Sequence, residues 1–247
     1  MFHRSHFALC AIALSLVAMS SSARAEEQPA QGASRFSVGA RVGANFNMLS
    51  PPEDPAGEPT LLYGSSITGL GFMAGVSAAY QVSSLANATS VWSVRAGALY
   101  GRHSGIGYAR NEGNNQQQAL TLTSHVLHVP VLVEFERRLA GVDLRVGLGP
   151  ELLWTLASAA TVEYTNIDTP PPSLETSDPF HIGLTATAGA VFDVGAQRMP
   201  VMVRATWDPQ VPGNTRERLL GYVDDQDFGA LQAAFDWQFA LVVGLDF

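Results

Sequence analysis

The sequence has no lysine, and its one cysteine, Cys10, lies in an N-terminal apolar run. That run belongs to "MFHRSHFALCAIALSLVAMSSSARA", which starts with Arg4, is apolar from Phe7 to Met19 and ends in a small-x-small site at Ala23-Arg24-Ala25. This is the pattern of a secretory signal peptide, residues 1–25, cleaved before Glu26. The apolar run, at about 13 residues, falls short of the ~20 that span a bilayer, and no later stretch approaches that length. Removing residues 1–25 takes Cys10 away, so the exported chain is expected to have no disulfide, thiolate metal ligand or cysteine nucleophile. It also lacks basic clusters: without Arg4 and Arg24, twelve arginines face twenty-two acidic residues, a net charge near −10. Such a balance speaks against a nucleic-acid partner.

A polar tail is missing too, since the chain closes on "WQFALVVGLDF". Trp237, Phe239, Leu241, Val243, Leu245 and Phe247 alternate with small or polar residues that include Asp246, which gives a period-two strand with one greasy face. About seven earlier segments alternate in the same way after a short linker, residues 26–34: Arg35 to Met48, Leu70 to Val82, Val91 to Gly101, Leu122 to Arg137, Val142 to Leu156, Phe180 to Val194 and Met199 to Trp207. Most are 9 to 15 residues long, which suits tilted strands crossing a bilayer better than the ~5 to 6 residues of soluble strands.

Three features favour a membrane barrel over a soluble one. The polar faces are rich in small residues, as the lumen of a narrow barrel requires. The connections alternate between short turns and four long loops, spanning roughly residues 49–69, 102–121, 157–179 and 208–236, a pattern that places the long loops outside and both termini in the periplasm. Finally, the outward aromatics fall at two levels: Phe36, Tyr80, Trp92, Phe135 and Phe192 below, and Phe46, Phe72, Tyr100, Trp154, Phe180 and Trp207 above. Phe36 and Phe46 are ten residues apart, about 25 Å of height at ~3.3 Å per residue and ~40° tilt, which matches the band between aromatic girdles. Residues 35–247 are therefore predicted to be an all-β, eight-stranded, up-and-down antiparallel transmembrane β-barrel of the cell outer membrane. Ten strands is the alternative, with an extra hairpin around Leu219 to Val223.

Two adjoining segments, "LHVPVLVEFE" (Leu127–Glu136) and "RVGLGPELLW" (Arg145–Trp154), resemble the small outer-membrane β-barrel domain group that includes PorT-like proteins. Members carry an apolar strand interrupted by proline, then a tight turn and a second strand. The position two before the proline is often acidic there and is His128 here. The resemblance implies a location more than an activity. The alternating terminal strand, Trp237 to Phe247, likewise resembles the signal read by the barrel-assembly machinery. Pro130 lacks an N–H donor, which predicts a bulge or weakened pairing.

No catalytic, cofactor or metal site emerges. "GRHSGIG", Gly101 to Gly107, invites comparison with lipid A deacylases, which use a His and a Ser at one-residue spacing. His103 and Ser104 are adjacent, so on a strand they face opposite sides, and the segment reads as a loop. His125 with Glu134, and His181 with Asp178, are isolated pairs without a third ligand. The acidic run Asp224-Asp225-Gln226-Asp227 reads as a solvated loop rather than a hard-cation site, and Thr169 to Ser173, "TPPPS", as a stiffened one.

The informative charges face inward. Period-two phase puts Arg95, Glu134 and Arg145 toward the periplasmic side of the lumen, with Glu134 as the shared anion, and Arg41, Glu151 and Arg204 nearer the middle or top. Charges removed from bulk water must be paired, so these six are predicted to form an ion-pair network that plugs the barrel. Replacing Asp246 with Asn is expected to matter much less for insertion than deleting Phe247 or replacing it with Asp. The expected function is structural or surface-interactive, with outer-membrane lipid and lipopolysaccharide around the wall and an external ligand at the loops. A small-solute pore or a lipid-modifying enzyme are the alternatives.

Overall fold

A computed structural model of the chain describes residues 35–49, 61–62, 67–84, 90–111, 116–139, 141–164, 180–211 and 235–247. The leader, residues 1–25, and the linker, 26–34, lie outside them. Eight long strands form the wall: β1 (Phe36–Leu49), β2 (Ile67–Ser84), β3 (Ser90–Asn111), β4 (Gln116–Leu139), β5 (Val142–Tyr164), β6 (Phe180–Val194), β7 (Gln197–Trp207) and β8 (Trp237–Asp246). Every strand pairs antiparallel with its neighbours in sequence. β1 also pairs with β8, from Gly39 opposite Asp246 to Met48 opposite Trp237, which closes the sheet. The result is an eight-stranded barrel in which β7 and β8 pair directly, so the wall has no room for an extra hairpin. Leu219 to Val223 lies outside the described residues. Closure satisfies the edge donors and acceptors that an open sheet would present to lipid.

Alternation sets the two faces of the wall. Val42, Ile182 and Leu70 point outward at 59 %, 61 % and 73 % exposure, part of an apolar surface of the kind that marks a contact with a membrane or another protein. The aromatics meet across neighbouring strands at both ends: Trp92 and Phe135 (ring centroids 4.9 Å apart) near the short turns, and Trp154 and Phe180 (5.3 Å), Trp207 and Trp237 (6.0 Å) and Phe72 and Tyr100 (6.1 Å) toward the long connections. Phe36 stands opposite Tyr80 at the turn end, and Phe46, Phe192 and Phe239 are exposed on the same outer surface. Val38 and Phe247 exchange backbone hydrogen bonds that extend the β1–β8 seam.

Two turns are tight because glycine permits them. Gly141 (φ +90°) and Gly195 (φ +64°) occupy the left-handed region and serve two-residue connections closed by the pairs Leu139–Val142 and Val194–Gln197, the geometry favoured where the strands twist right-handedly.

One long loop is absent. The stretch 102–121 is almost all strand: β3 and β4 stay paired up to Asn111 opposite Gln116, and Leu61–Leu62 pairs with the last residues of β3. The glycines that suggest a loop lie on a single face of β3, spaced for close packing rather than turning. β5 likewise runs to Tyr164, past the predicted end at Leu156, with a register shift opposite the step from His125 to Val126. Around Pro130 the ladder lapses on both sides: no pairs join residues 97–98 to 129–130, or 131–132 to 149–150. A second proline, Pro150, sits across the same gap and removes another donor.

Candidate functional site

The lumen is the one place where the strands converge chemistry, and its contents fall into two layers. At the turn end, inward positions of β1, β3, β4, β5, β7 and β8 bring four arginines to four carboxylates. Asp246 is the hub. It binds Arg41, Arg95 (3.5 Å) and Arg145 (3.2 Å). Arg95 Nε donates to Glu134 at 2.8 Å and its Nη1 to Ser77 Oγ at 3.1 Å. Arg145 donates to Glu136 at 2.8 Å, which also accepts from Arg198 at 2.8 Å, and Arg198 reaches Asp143 at 2.5 Å. Long guanidinium arms make this possible, since each spans neighbouring strands and offers several donors.

Toward the loop end the filling changes to short side chains in one continuous hydrogen-bonded belt. Asn47 donates to Asn45 at 3.1 Å, and His103 Nδ1 lies 2.6 Å from Asn47 Oδ1. His103 Nε2 meets His128 Nε2 at 2.8 Å, and His128 Nδ1 meets Glu151 Oε1 at 2.7 Å. Glu151 is held further by Arg204, Thr185 and Thr206. The belt thus links β1, β3, β4, β5, β6 and β7 around the lumen. Above it, Phe235 folds inward, 1 % exposed, with its ring 6.4 Å from that of His103. Gly101 and Gly105 leave the space: a Cβ on Gly101 would lie 2.5 Å from His103 Nε2, and one on Gly105 2.9 Å from Phe235. Between the layers remains a cavity of about 60 Å³, bounded by Arg41, Arg95, Glu134, Thr187 and Arg204 among others, room for no more than a few waters.

The six inward charges read from the sequence, Arg41, Arg95, Glu134, Arg145, Glu151 and Arg204, are all buried in the lumen, but their partners differ from the expectation. Glu134 hydrogen-bonds Arg95, whereas Arg145 turns to Glu136 and Asp246. Glu134 faces Arg145 as well as Arg95, but Asp246 is the anion that directly bridges three arginines, and Arg41 belongs to the turn-end layer rather than the middle. Asp246 escaped notice because its partners come from β1, β3 and β5, which only barrel closure brings together. His103 is buried in a strand, not exposed in a loop. Ser104 faces the other way and donates to Leu70 O at 2.5 Å. A signal was present: Gly101, His103, Gly105 and Gly107 keep strict period two, with His103 the only large residue among the four.

The remaining candidates separate. His125 lies outside, 2.5 Å from the Tyr100 hydroxyl, and does not approach Glu134 inside. His181 pairs with Asp208 at 2.7 Å, while Asp178, Asp224 to Asp227 and Thr169 to Ser173 lie outside the described residues. Among the described residues, no group of three or more His, Asp or Glu could hold a metal ion, and no helix is long and apolar enough to cross a membrane, which says nothing of strands.

Comparison with known proteins gives a family. A family model described as outer membrane protein beta-barrel domain matches residues 21–205. No curated protein matches the chain. Among solved structures, the crystal structure of Neisserial surface protein A (NspA) is similar at 16 % identity over 87 % of this chain and 98 % of that one, with a TM-score of 0.39.

Proposed function

The chain belongs to the outer membrane protein beta-barrel domain family, and from that premise we propose that it is a closed anchor, a barrel that fills its own lumen and holds its long connections as an external interaction surface. In this reading both termini face the periplasm and no reaction is catalysed. The girdled wall contacts outer-membrane lipid and lipopolysaccharide, and the terminal strand from Trp237 to Phe247 is what the assembly machinery reads. One observation carries the reading: the turn-end arginines and carboxylates pair across the lumen, and the space left above them is a cavity of about 60 Å³. A permeation path needs continuous water, and charges paired in this way supply none.

Purified protein in planar bilayers near neutral pH should show no steady conductance. Large stable channels would overturn the closed anchor and favour a small-solute pore.

A further inference from the structure

We infer that the His103–His128 imidazole pair is a buried proton-binding site that keeps the loop end of the lumen shut near neutral pH and releases it in acid. The inference rests on the closed-lumen reading above. Both rings are fully buried. Their Nε2 atoms are 2.8 Å apart, a distance that requires one hydrogen between them: with none, two lone pairs would face each other, and with two, the N–H groups would collide. The outer nitrogens are already committed. His128 Nδ1 lies 2.7 Å from Glu151 Oε1, an acceptor. His103 Nδ1 lies 2.6 Å from Asn47 Oδ1 and 3.2 Å from Asn45 Nδ2; the shorter contact directs its hydrogen to Asn47 Oδ1, while Asn47 Nδ2 donates to Asn45 Oδ1 at 3.1 Å. Three N–H groups on four nitrogens give the pair one shared positive charge. A further proton has only the central contact to occupy, and it would break that contact.

The surroundings offer no relief. The groups that act most on His103 are His128 and, on the outer face, His125 from β4, Glu151 from β5 and Arg204 from β7; β1 contributes amides, β6 the hydroxyl of Thr185 and His181, which is paired with Asp208, and Asp236, next to Phe235 in the chain, is buried as well. Glu151 is the anion bonded to the pair, and it is already bound to Arg204, Thr185 and Thr206, while Asp208 is taken by His181. Two imidazolium ions in contact beside Arg204 repel strongly in a water-poor interior. The rings pack against the backbone of Gly101, and on the loop side His103 meets Phe235, the neighbour that a separation would displace.

Ser124 supplies the reporter. It is fully buried, its hydroxyl has no hydrogen-bond partner, and it stands directly across from His103 in the β3–β4 ladder. In the exported chain, which lacks cysteine, Ser124→Cys would be treated with dithiodipyridine in lipid nanodiscs, with Ala196→Cys in the exposed β6–β7 turn as the accessible reference. Relative to that reference, labelling of S124C should be blocked near pH 7.5 and rise about tenfold or more near pH 5, within the range where imidazoles take up protons. His128→Gln in the S124C background removes one ring of the pair and should abolish the rise; His103→Gln removes the other ring if H128Q does not fold. Equal protection at both pH values, or an acid response that survives both glutamine variants, overturns the proton site while leaving the closed lumen intact. Fast labelling already at pH 7.5 instead overturns the closed lumen itself.

Discussion

At the turn end of the lumen, four arginines face four carboxylates with shared and interchangeable partners; toward the loop end, the carboxylate of Glu151 anchors a belt of specific hydrogen bonds. Asp246 accepts from three guanidinium groups on three strands, so one of those arms can shift without leaving the others unpaired. In the belt, Asn47 and Asn45 bond each other and both meet His103, which leads on to His128 and Glu151, and a slip of one residue in any of β1, β3, β4 or β5 would turn its member to the outside. Electroneutrality is the task of the first layer, register that of the second.

This contrast makes Asp246→Asn the most damaging single change. The substitution keeps size and burial but removes the anion shared by Arg41, Arg95 and Arg145, and truncating one member of a buried charge cluster costs ~3 to 5 kcal/mol, less where lumen water screens it. Glu134→Gln should cost clearly less, because Glu134 hydrogen-bonds only Arg95 and Arg95 retains Asp246. Denaturant midpoints of the refolded barrel, read from the shift between heated and unheated gel mobility, check the order. A larger loss in E134Q than in D246N would restore Glu134 as the hub.

Glu151→Gln should be the largest change available in the belt, on the order of 3 kcal/mol, since it leaves Arg204 buried without its anion. The two layers are separated by the cavity, and substitutions without shared partners add within about 0.5 kcal/mol. The double variant D246N/E151Q is therefore expected to lose the sum of the single losses. A coupling above about 1 kcal/mol in that cycle would mean that the lumen is one network and that the division into layers is false.

How much of this the sequence discloses follows the same division. Period two alone places Arg95, Glu134, Arg145 and the girdle aromatics on their faces, because orientation in a strand is a local property. Partner choice is not local. Which carboxylate Arg145 reaches depends on the stagger of eight strands around a closed wall, so Asp246 and Glu136 stay invisible until closure is known. The belt is obscured for another reason: glycine marks turns in most strand sequences, yet Gly101 and Gly105 are small because the rings of His103, His128 and Phe235 fill the space beside them. Phe235 cannot be read at all from alternation, since it shares parity with the outward Trp237 and turns inward before β8 begins.

The mildest test compares one hydroxyl from each layer. Ser77 Oγ accepts a single bond, from Arg95 Nη1 at 3.1 Å, and Arg95 has Glu134 and Asp246 besides. Thr206 Oγ1 bonds Glu151 (3.1 Å) and Thr185 (2.9 Å) and accepts from Arg204 Nε at 3.3 Å. Thr206→Val keeps the branched shape, so its loss is almost wholly polar, whereas Ser77→Ala removes one atom beside the cavity. A net hydrogen bond is worth about 0.5 to 1.5 kcal/mol, and stranding a partner costs more than deleting a pair. In S77A nothing is stranded, and a loss of about 0.5 kcal/mol is expected. In T206V, Glu151 retains Thr185, His128 and Arg204, but Arg204 Nε loses its acceptor, which puts the loss at about 1 to 2 kcal/mol. If belt geometry is as tightly specified as its hydrogen bonding implies, T206V must exceed S77A in denaturant midpoint shift; equal shifts would show that water replaces the missing hydroxyl in both layers alike, and that the belt is no more specific than the charge cluster beneath it.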